Sequence, residues 1–198
     1  ESSFKNNVIG SINIFEKSIF YNVKNLVLVS SDQAVKPKNI MGCTKRICEI
    51  YYILKSQMVN SNDIKISIVR FGNVFSSSGS VIPLFEEQIK KNQKITVTHK
   101  EVERYFMSLS DASNLILEAT TFSKNGSLYF LNMGKPKKII DILKKILELK
   151  NKTLNDIDIQ FSGLAKGEKI SEELTLSNIN KMTDNINIME ADEKINQN

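Results

Sequence analysis

The sequence predicts an α/β protein: a parallel sheet with helices on both faces. Three observations carry this. Residues 6–20 place Val8, Ile12, Phe15 and Ile19 at helical spacing. Residues 25–30 and 64–69 are short apolar runs rich in Val, Leu and Ile, bounded by polar residues, as strands buried on both faces are. Helix, strand, polar loop, helix and strand then follow one another, which is α/β alternation. Ligands of such sheets sit outside the carboxyl ends of the strands, so the loops at 30–39 and 70–80 are the first places to look for a site.

The remaining elements follow from local signals. A helix is expected over about 41–58, and Pro83 opens another over about 84–91, in a first turn where proline is favourable. Residues 95–98 read as a short strand, and Ser110-Asp111 caps a helix running to about 119. Residues 128–133 form a strand. Pro136 precedes a helix over 137–149 with Ile139, Ile142, Leu143, Ile146 and Leu147 on one face. From about 175 the chain is rich in Asn, Asp and Lys and reads as a loosely attached or disordered polar tail.

Composition narrows the function. Hydrophobic residues make up 41% and charged residues 25% of the 198 residues, as in an ordinary globular protein. No apolar run reaches the roughly 18–20 residues that span a membrane. The net charge of +5 comes from scattered lysines rather than a dense basic stripe, which argues against nucleic acid as a partner and suits an anionic small substrate. Cys43 and Cys48 have no second pair to complete a zinc site, so no metal is expected and both read as reduced thiols of a cytoplasmic protein. The glycines stand at 10, 42, 72, 79, 126, 134, 163 and 167, so G-x-G-x-x-G, the phosphate-binding turn of a complete dinucleotide fold, does not occur.

Three stretches then carry a resemblance: Val29-Ser30-Ser31-Asp32-Gln33-Ala34-Val35-Lys36-Pro37 through Met41-Gly42-Cys43-Thr44-Lys45-Arg46; Val69-Arg70-Phe71-Gly72-Asn73-Val74 through Ser78-Gly79-Ser80-Val81-Ile82-Pro83, with Arg104-Tyr105-Phe106-Met107; and Gly163-Leu164-Ala165-Lys166-Gly167-Glu168-Lys169. Over residues 1–175 the chain resembles the polysaccharide biosynthesis (CapD-like) family of UDP-sugar 4,6-dehydratases and related epimerases, of the extended short-chain dehydrogenase/reductase class. The resemblance implies the C-terminal part of a Rossmann-like parallel sheet, plus a smaller α/β substrate-binding lobe. It divides the chain into residues 1–75 (the C-terminal half of the NAD-binding domain), 76–174 (the UDP-sugar lobe with interleaved Rossmann elements) and 175–198 (the tail). The chain then reads either as a fragment whose upstream part bears the glycine turn, where membrane helices would also lie, or as a degenerate remnant.

The resemblance also implies roles. NAD, or NADP in some relatives, takes hydride from C4 of a UDP-activated hexose such as UDP-N-acetylglucosamine; water leaves across C5–C6 and hydride returns to C6. The class pattern Tyr-x-x-x-Lys appears here as Met41-x-x-x-Lys45, one helical turn apart and on one face. Met41 has no useful proton, and large dehydratases of the family share it. Acid–base work then falls to the loop Ser31-Asp32-Gln33, where Ser31 would orient the substrate and Asp32 either serves a sugar hydroxyl or merely makes a turn. Asn7, Ser30, Lys45, Arg70 and Phe71 are the expected cofactor contacts. Asn73, Ser80, Val81, Arg104 and Glu168 are the expected sugar-nucleotide contacts, although Arg104 equally fits a surface ion pair. His99, the lone histidine, reads as structural. Relatives self-associate through helices of this region, so a homo-oligomer is expected.

Two departures stand out. Gln33 replaces a lysine thought to act as the base at C5, and an amide is not basic. Ala165-Lys166 replaces Arg-Pro, removing a fork-like donor for phosphate or ribose. Two readings follow: an active dehydratase or epimerase, or a catalytically impaired or truncated relative that keeps a partial UDP-sugar or structural role.

Overall fold

The computed structural model describes residues 1–198 except Ser76, Ser78, Ser123, Asn178, Ile179, Lys194, Asn196, Gln197 and Asn198. In chain order it contains a π-helical segment Phe4–Ile9, α1 Gly10–Phe20, β1 Asn25–Ser31, a 3₁₀ turn Asp32–Ala34, α2 Ile40–Ser56, β2 Lys65–Phe71, β3 Asn73–Val74 and α3 Val81–Lys90. There follow β4 Ile95–Val97, β5 Glu103–Arg104, β6 Phe106–Met107, α4 Leu109–Thr121, β7 Ser127–Leu131, β8 Lys137–Lys138 and α5 Ile139–Glu148. A 3₁₀ turn Leu154–Asp156, β9 Ile159–Phe161, β10 Asn180–Met182 and β11 Ile188–Ala191 complete the chain. Pro83 is the third residue of α3 rather than its first, still within the turn where a missing N–H costs nothing. Two compact units result: Glu1–Phe71, Ser110–Asn132 and Glu173–Asn198 form unit 1, and Gly72–Leu109 and Met133–Glu172 form unit 2.

Unit 1 holds a five-stranded sheet in the order β1-β2-β7-β11-β10. The first three strands are parallel, in a register that sets Ser30 beside Arg70 and Ser31 beside Phe71. Five successive residues of β2 are buried, which only a strand covered on both faces shows. One face packs Leu26, Leu28, Ile66, Ile68, Leu128 and Phe130 against Phe15 of α1 and Cys48, Tyr52 and Ile53 of α2. On the other face the Ser67 hydroxyl donates to the Ala119 carbonyl of α4 at 2.7 Å.

The loosely attached tail expected from composition is corrected over residues 180–182 and 188–191, which are strands. β11 pairs antiparallel with β7, and β10 with β11. Ile188 is 1% exposed and Ala191 is buried too, so β11 contributes two apolar residues to the sheet's core, although Leu176, Met182 and Ile186 stay exposed. Unit 2 is built of short strand pairs, β3 with β6, β4 with β9 and β5 with β8. Its core places Phe85 and Ile89 of α3 with Ile139, Ile142, Leu143, Ile146 and Leu147 of α5, the helical face read from the sequence.

Candidate active site

The residues expected in a catalytic loop converge in unit 1 at the carboxyl end of β1. The strand ends on Ser31, and the chain turns at once into the 3₁₀ turn beginning with Asp32. Ser31 caps that turn: its Oγ accepts from the Gln33 amide at 3.2 Å and donates to Asp32 Oδ1 at 2.8 Å. Asp32 is 3% exposed, so its carboxylate is fixed rather than solvated. The Gln33 Oε1 accepts from Asn39 Nδ2 at 3.2 Å, and Asn39 in turn caps α2, its Oδ1 accepting from the Gly42 amide at 2.8 Å. Loop and helix therefore share one hydrogen-bond chain. They also touch: a Cβ on Gly42 would lie 2.3 Å from the Gln33 carbonyl oxygen, so only glycine allows the loop this close.

Met41 and Lys45 lie one turn apart on α2, both half-buried. The Lys45 ammonium donates to the Val29 carbonyl of β1 at 3.0 Å, which places a cation two residues before Ser31 along the strand. Asn7, in the π-helical segment, is tied to the same helix: its Nδ2 donates to Thr44 Oγ1 at 2.8 Å, and its carbonyl accepts from Cys48 Sγ at 3.2 Å. Burial pushes the Cys48 thiol above its ordinary value, against the pull of its hydrogen bonds and of the Lys45 charge, so it stays protonated. Ser30 is 3% exposed, and its hydroxyl has no hydrogen-bond partner among the described residues.

Arg70 is placed otherwise than expected. Its side chain is fully buried, and its five N–H donors are all used inside unit 1. Nε and Nη2 donate to Glu49 at 2.8 and 2.7 Å, Nη1 and Nη2 to Glu193 at 2.5 and 3.0 Å, and Nη1 to the Leu174 carbonyl at 2.9 Å. No donor is left for a cofactor. Arg46 closes the cluster, its Nη1 reaching Glu49 at 2.9 Å and Glu193 at 2.7 Å. Burial works against the Arg70 charge, but the hydrogen bonds it donates to Glu49 and Glu193 prevail and raise its pKa. Burial likewise pulls Glu193 up, and Arg70 overcomes it, holding the Glu193 carboxyl below the ordinary value. Sequence reasoning missed Arg46, Glu49 and Glu193; the signal was a charged i, i+3 pair on α2, with Glu49 set between Cys48 and Ile50. Phe71 is half-buried at the end of β2.

Unit 2 brings together two of the expected sugar-nucleotide residues. Arg104 Nη2 donates to Glu168 Oε1 at 3.1 Å, and Arg104 Nη1 to the carbonyls of Glu103 and Ile170 at 2.7 and 3.0 Å. Glu168 also accepts from the Thr98 hydroxyl at 3.0 Å and from the Ala165 amide at 3.1 Å, closing the turn that contains the Ala165-Lys166 departure. Asn73 lies on β3, its amide donating to the Tyr105 carbonyl at 2.8 Å. Ser80 precedes α3 without capping it, and its buried hydroxyl has no partner among the described residues; Val81 opens the helix. Ser78 lies outside the described residues. His99 Nδ1 accepts from the Glu101 amide at 3.1 Å, a turn contact.

Comparison with known proteins decides the family. The family model for polysaccharide biosynthesis protein matches residues 1–193. This chain belongs to the polysaccharide biosynthesis protein family. A family member from Staphylococcus aureus, capsular polysaccharide biosynthesis protein CapD, is 44% identical over 178 residues, covering 89% of this chain and 29% of CapD. The probable polysaccharide biosynthesis protein EpsC of Bacillus subtilis (strain 168) is 41% identical, covering 90% of this chain and 29% of its own length. The chain thus spans less than a third of these relatives. Among solved structures, Pen from Bacillus thuringiensis is 38% identical with a TM-score of 0.78, covering 85% of this chain and 52% of Pen. A dTDP-glucose 4,6-dehydratase from Streptomyces venezuelae, solved with NAD and TYD bound, is 14% identical with a TM-score of 0.75 and covers 86% of this chain and 57% of its own; it shows that the fold is shared. The fold is the Rossmann-like one of the short-chain dehydrogenase/reductase dehydratases and epimerases. Among the described residues no helix is long and apolar enough to cross a membrane.

Proposed function

We propose that the chain carries the acid–base loop and the sugar-nucleotide groups of an NAD-dependent enzyme of surface polysaccharide synthesis. Its substrate would be a UDP-activated hexose, such as UDP-N-acetylglucosamine, oxidised at C4 on the way to 4,6-dehydration or epimerisation. The observation that supports this best is Asp32: a buried carboxylate at the carboxyl end of a parallel strand, oriented by Ser31. A merely turn-making aspartate gains nothing from that burial.

The cofactor fits part of the expected set. The buried Ser30 hydroxyl and the Lys45 ammonium, both at the end of β1, would hold the nicotinamide ribose, whereas Arg70 does not fit. When bound, NAD supplies hydride acceptance at C4 and its return. Asp32 takes the proton of the C4 hydroxyl as that oxygen becomes a carbonyl oxygen. The Ser31 Oγ, with one lone pair on the Gln33 amide, keeps the other for a sugar hydroxyl. In unit 2, Arg104 supplies positive charge for the diphosphate, with Asn73 and Ser80 as neutral partners.

Dehydration needs more. The C5 proton must be removed as the C6 hydroxyl departs with a proton, which the protonated Asp32 can supply. Gln33 offers no base for C5, and its Oε1 is engaged with Asn39. That observation favours a second reading, in which C4 oxidation is retained and the product is the 4-epimer. Joined to an upstream region that bears the glycine turn and given UDP-N-acetylglucosamine and NAD, the protein is expected to convert the sugar nucleotide as read by proton NMR, with Asp32→Asn about 10²-fold or more slower. Undiminished turnover in Asp32→Asn, or no conversion by the unmodified protein, would refute the proposal.

A further inference from the structure

Residues 173–193 reach the catalytic frame at three points. Glu173 pairs with Lys36, in the loop between Gln33 and Asn39, at 2.6 Å. The Leu174 carbonyl accepts from Arg70 at the end of β2, the register neighbour of Ser30. Glu193 receives Arg70 and Arg46, and Arg46 immediately follows Lys45 on α2. The Glu193 carboxylate also accepts from the Leu176 amide at 3.0 Å, drawing the two ends of this segment together.

The Glu193 contacts are dry. The side chains of Arg70, Glu49 and Glu193 are 0%, 0% and 2% exposed, and that of Arg46 is 15% exposed. Two arginines and two glutamates balance in charge, so removing one carboxylate leaves a buried cation uncompensated. The surrounding groups offer no substitute: Glu49 is already shared between the two arginines. A surface pair such as Lys36–Glu173, about half exposed on each side, contributes little alone. β11 is held to β7 by its own ladder, and the segment's grip on α2 is the Glu193 carboxylate, through Arg46.

We propose that residues 173–193 are a brace for the catalytic loop and for the helix bearing Met41 and Lys45, with Glu193 as its positioning residue. Glu193 touches neither substrate nor cofactor in this account; it fixes the second turn of α2, and so Lys45, against the strand ends. The inference rests on the proposed function for its effect on turnover, but not for its effect on α2.

The test uses Glu193→Gln and Glu193→Asp in the full chain, with two readouts. Amide hydrogen exchange over residues 41–49 should quicken about tenfold in Glu193→Gln while β1 and β2 keep their protection. Turnover of the sugar nucleotide should lose about tenfold in kcat with KM within about twofold, and Glu193→Asp should recover part of it. Should Glu193→Gln fail to fold, Arg46→Gln removes the most exposed member of the cluster and must show the same kcat loss and faster exchange. Unchanged exchange at 41–49 in a folded variant overturns the brace, as does a rise in KM with kcat intact. A wild-type protein that converts no sugar nucleotide sinks the proposed function instead, and the exchange measurement then decides the brace by itself.

Discussion

Replacing Gly42 with alanine sets two effects of opposite sign against each other. Alanine favours a helix interior over glycine by about 1 kcal/mol, and less in the first turn, where Gly42 sits third in α2. Against this, the new Cβ would stand 2.3 Å from the Gln33 carbonyl oxygen and 3.2 Å from Pro37 Cβ, where ordinary contact begins at 3.4 Å. The obstacle is backbone, so the loop must retreat by about 1 Å, the kind of overpacking that costs about 1–3 kcal/mol. The clash wins, and a net loss of about 1–2 kcal/mol lowers Tm by about 2–8 °C in a chain of this size. Activity should suffer more than stability. The displaced carbonyl belongs to the residue after Asp32, and a misplacement of about 1 Å at a reacting group costs up to about 10²-fold. Thermal melting and sugar-nucleotide turnover, run on the same preparation, separate the two. A Gly42→Ala protein with equal or higher Tm and unreduced kcat would refute the claim that glycine is there for the loop.

Other outcomes follow from the same geometry. Gln33→Lys should raise formation of a 4-keto-6-deoxy product relative to 4-epimer, scored by NMR; an unchanged product ratio removes position 33 from the elimination step. Gly126→Ala, at φ +74° and with its Cβ 2.0 Å from Ser56 Oγ, should lower Tm even though it lies away from the loop; an unchanged melt contradicts this. Glu193 has a depressed pKa in the folded protein, so its contribution is present above the ordinary glutamate value of about 4.3 and lost as pH falls through the folded value. Acid unfolding of the wild type should therefore be steeper below that value than in Glu193→Gln, and identical acid limbs would count against it. Burial raises the Tyr52 phenol to about 12, so its contribution holds below about 10 and fades as pH rises toward 12. Tyr52→Phe should flatten the alkaline limb of a stability-versus-pH curve, and no flattening would show that the phenol is not responsible.

The elements of long period were legible. The helices at 6–20, 41–58 and 137–149 and the strands at 25–30 and 64–69 are found within a few residues, because each carries its own apolar pattern. Two-residue strands such as β3, β5, β6 and β8 have no pattern to read; their pairing is decided by what lies opposite. The tail failed for another reason. Low hydrophobicity predicts disorder only when a segment must bury its own surface. Residues 188–191 instead add to an existing sheet and share its core, and Glu193 is held by charges from β2 and α2. Arg70 misled in the same way. As a cation at a strand end it looks poised for an anionic cofactor, but its partners Glu49 and Glu193 are 21 and 123 residues away in sequence. Ser31-Asp32 and Met41–Lys45, by contrast, are local, and one strand end and one helix face suffice to bring them together.

The two departures from the family pattern can be weighed by what each position does for the fold and what it would do for the chemistry. Gln33 keeps the loop's structural duties: its amide completes the Ser31 cap, and its side chain holds Asn39, the cap of α2. A lysine side chain at that position has only donors and could not accept from Asn39 in this way. Gln33 therefore stabilises the loop through a bond its family counterpart cannot make, while losing the one group suited to deprotonating C5. The Ala165-Lys166 change behaves alike, since the turn is closed by the Ala165 amide on Glu168, a backbone donor that any residue but proline retains. Both substitutions spare the architecture, and under the proposed function they fall on proton transfer and phosphate recognition. A degenerate remnant would show damage without regard to that boundary. Of the two, only Gln33 bears on elimination, since it is there that the base for C5 is missing, and this is why C4 oxidation without elimination is the reading to test first.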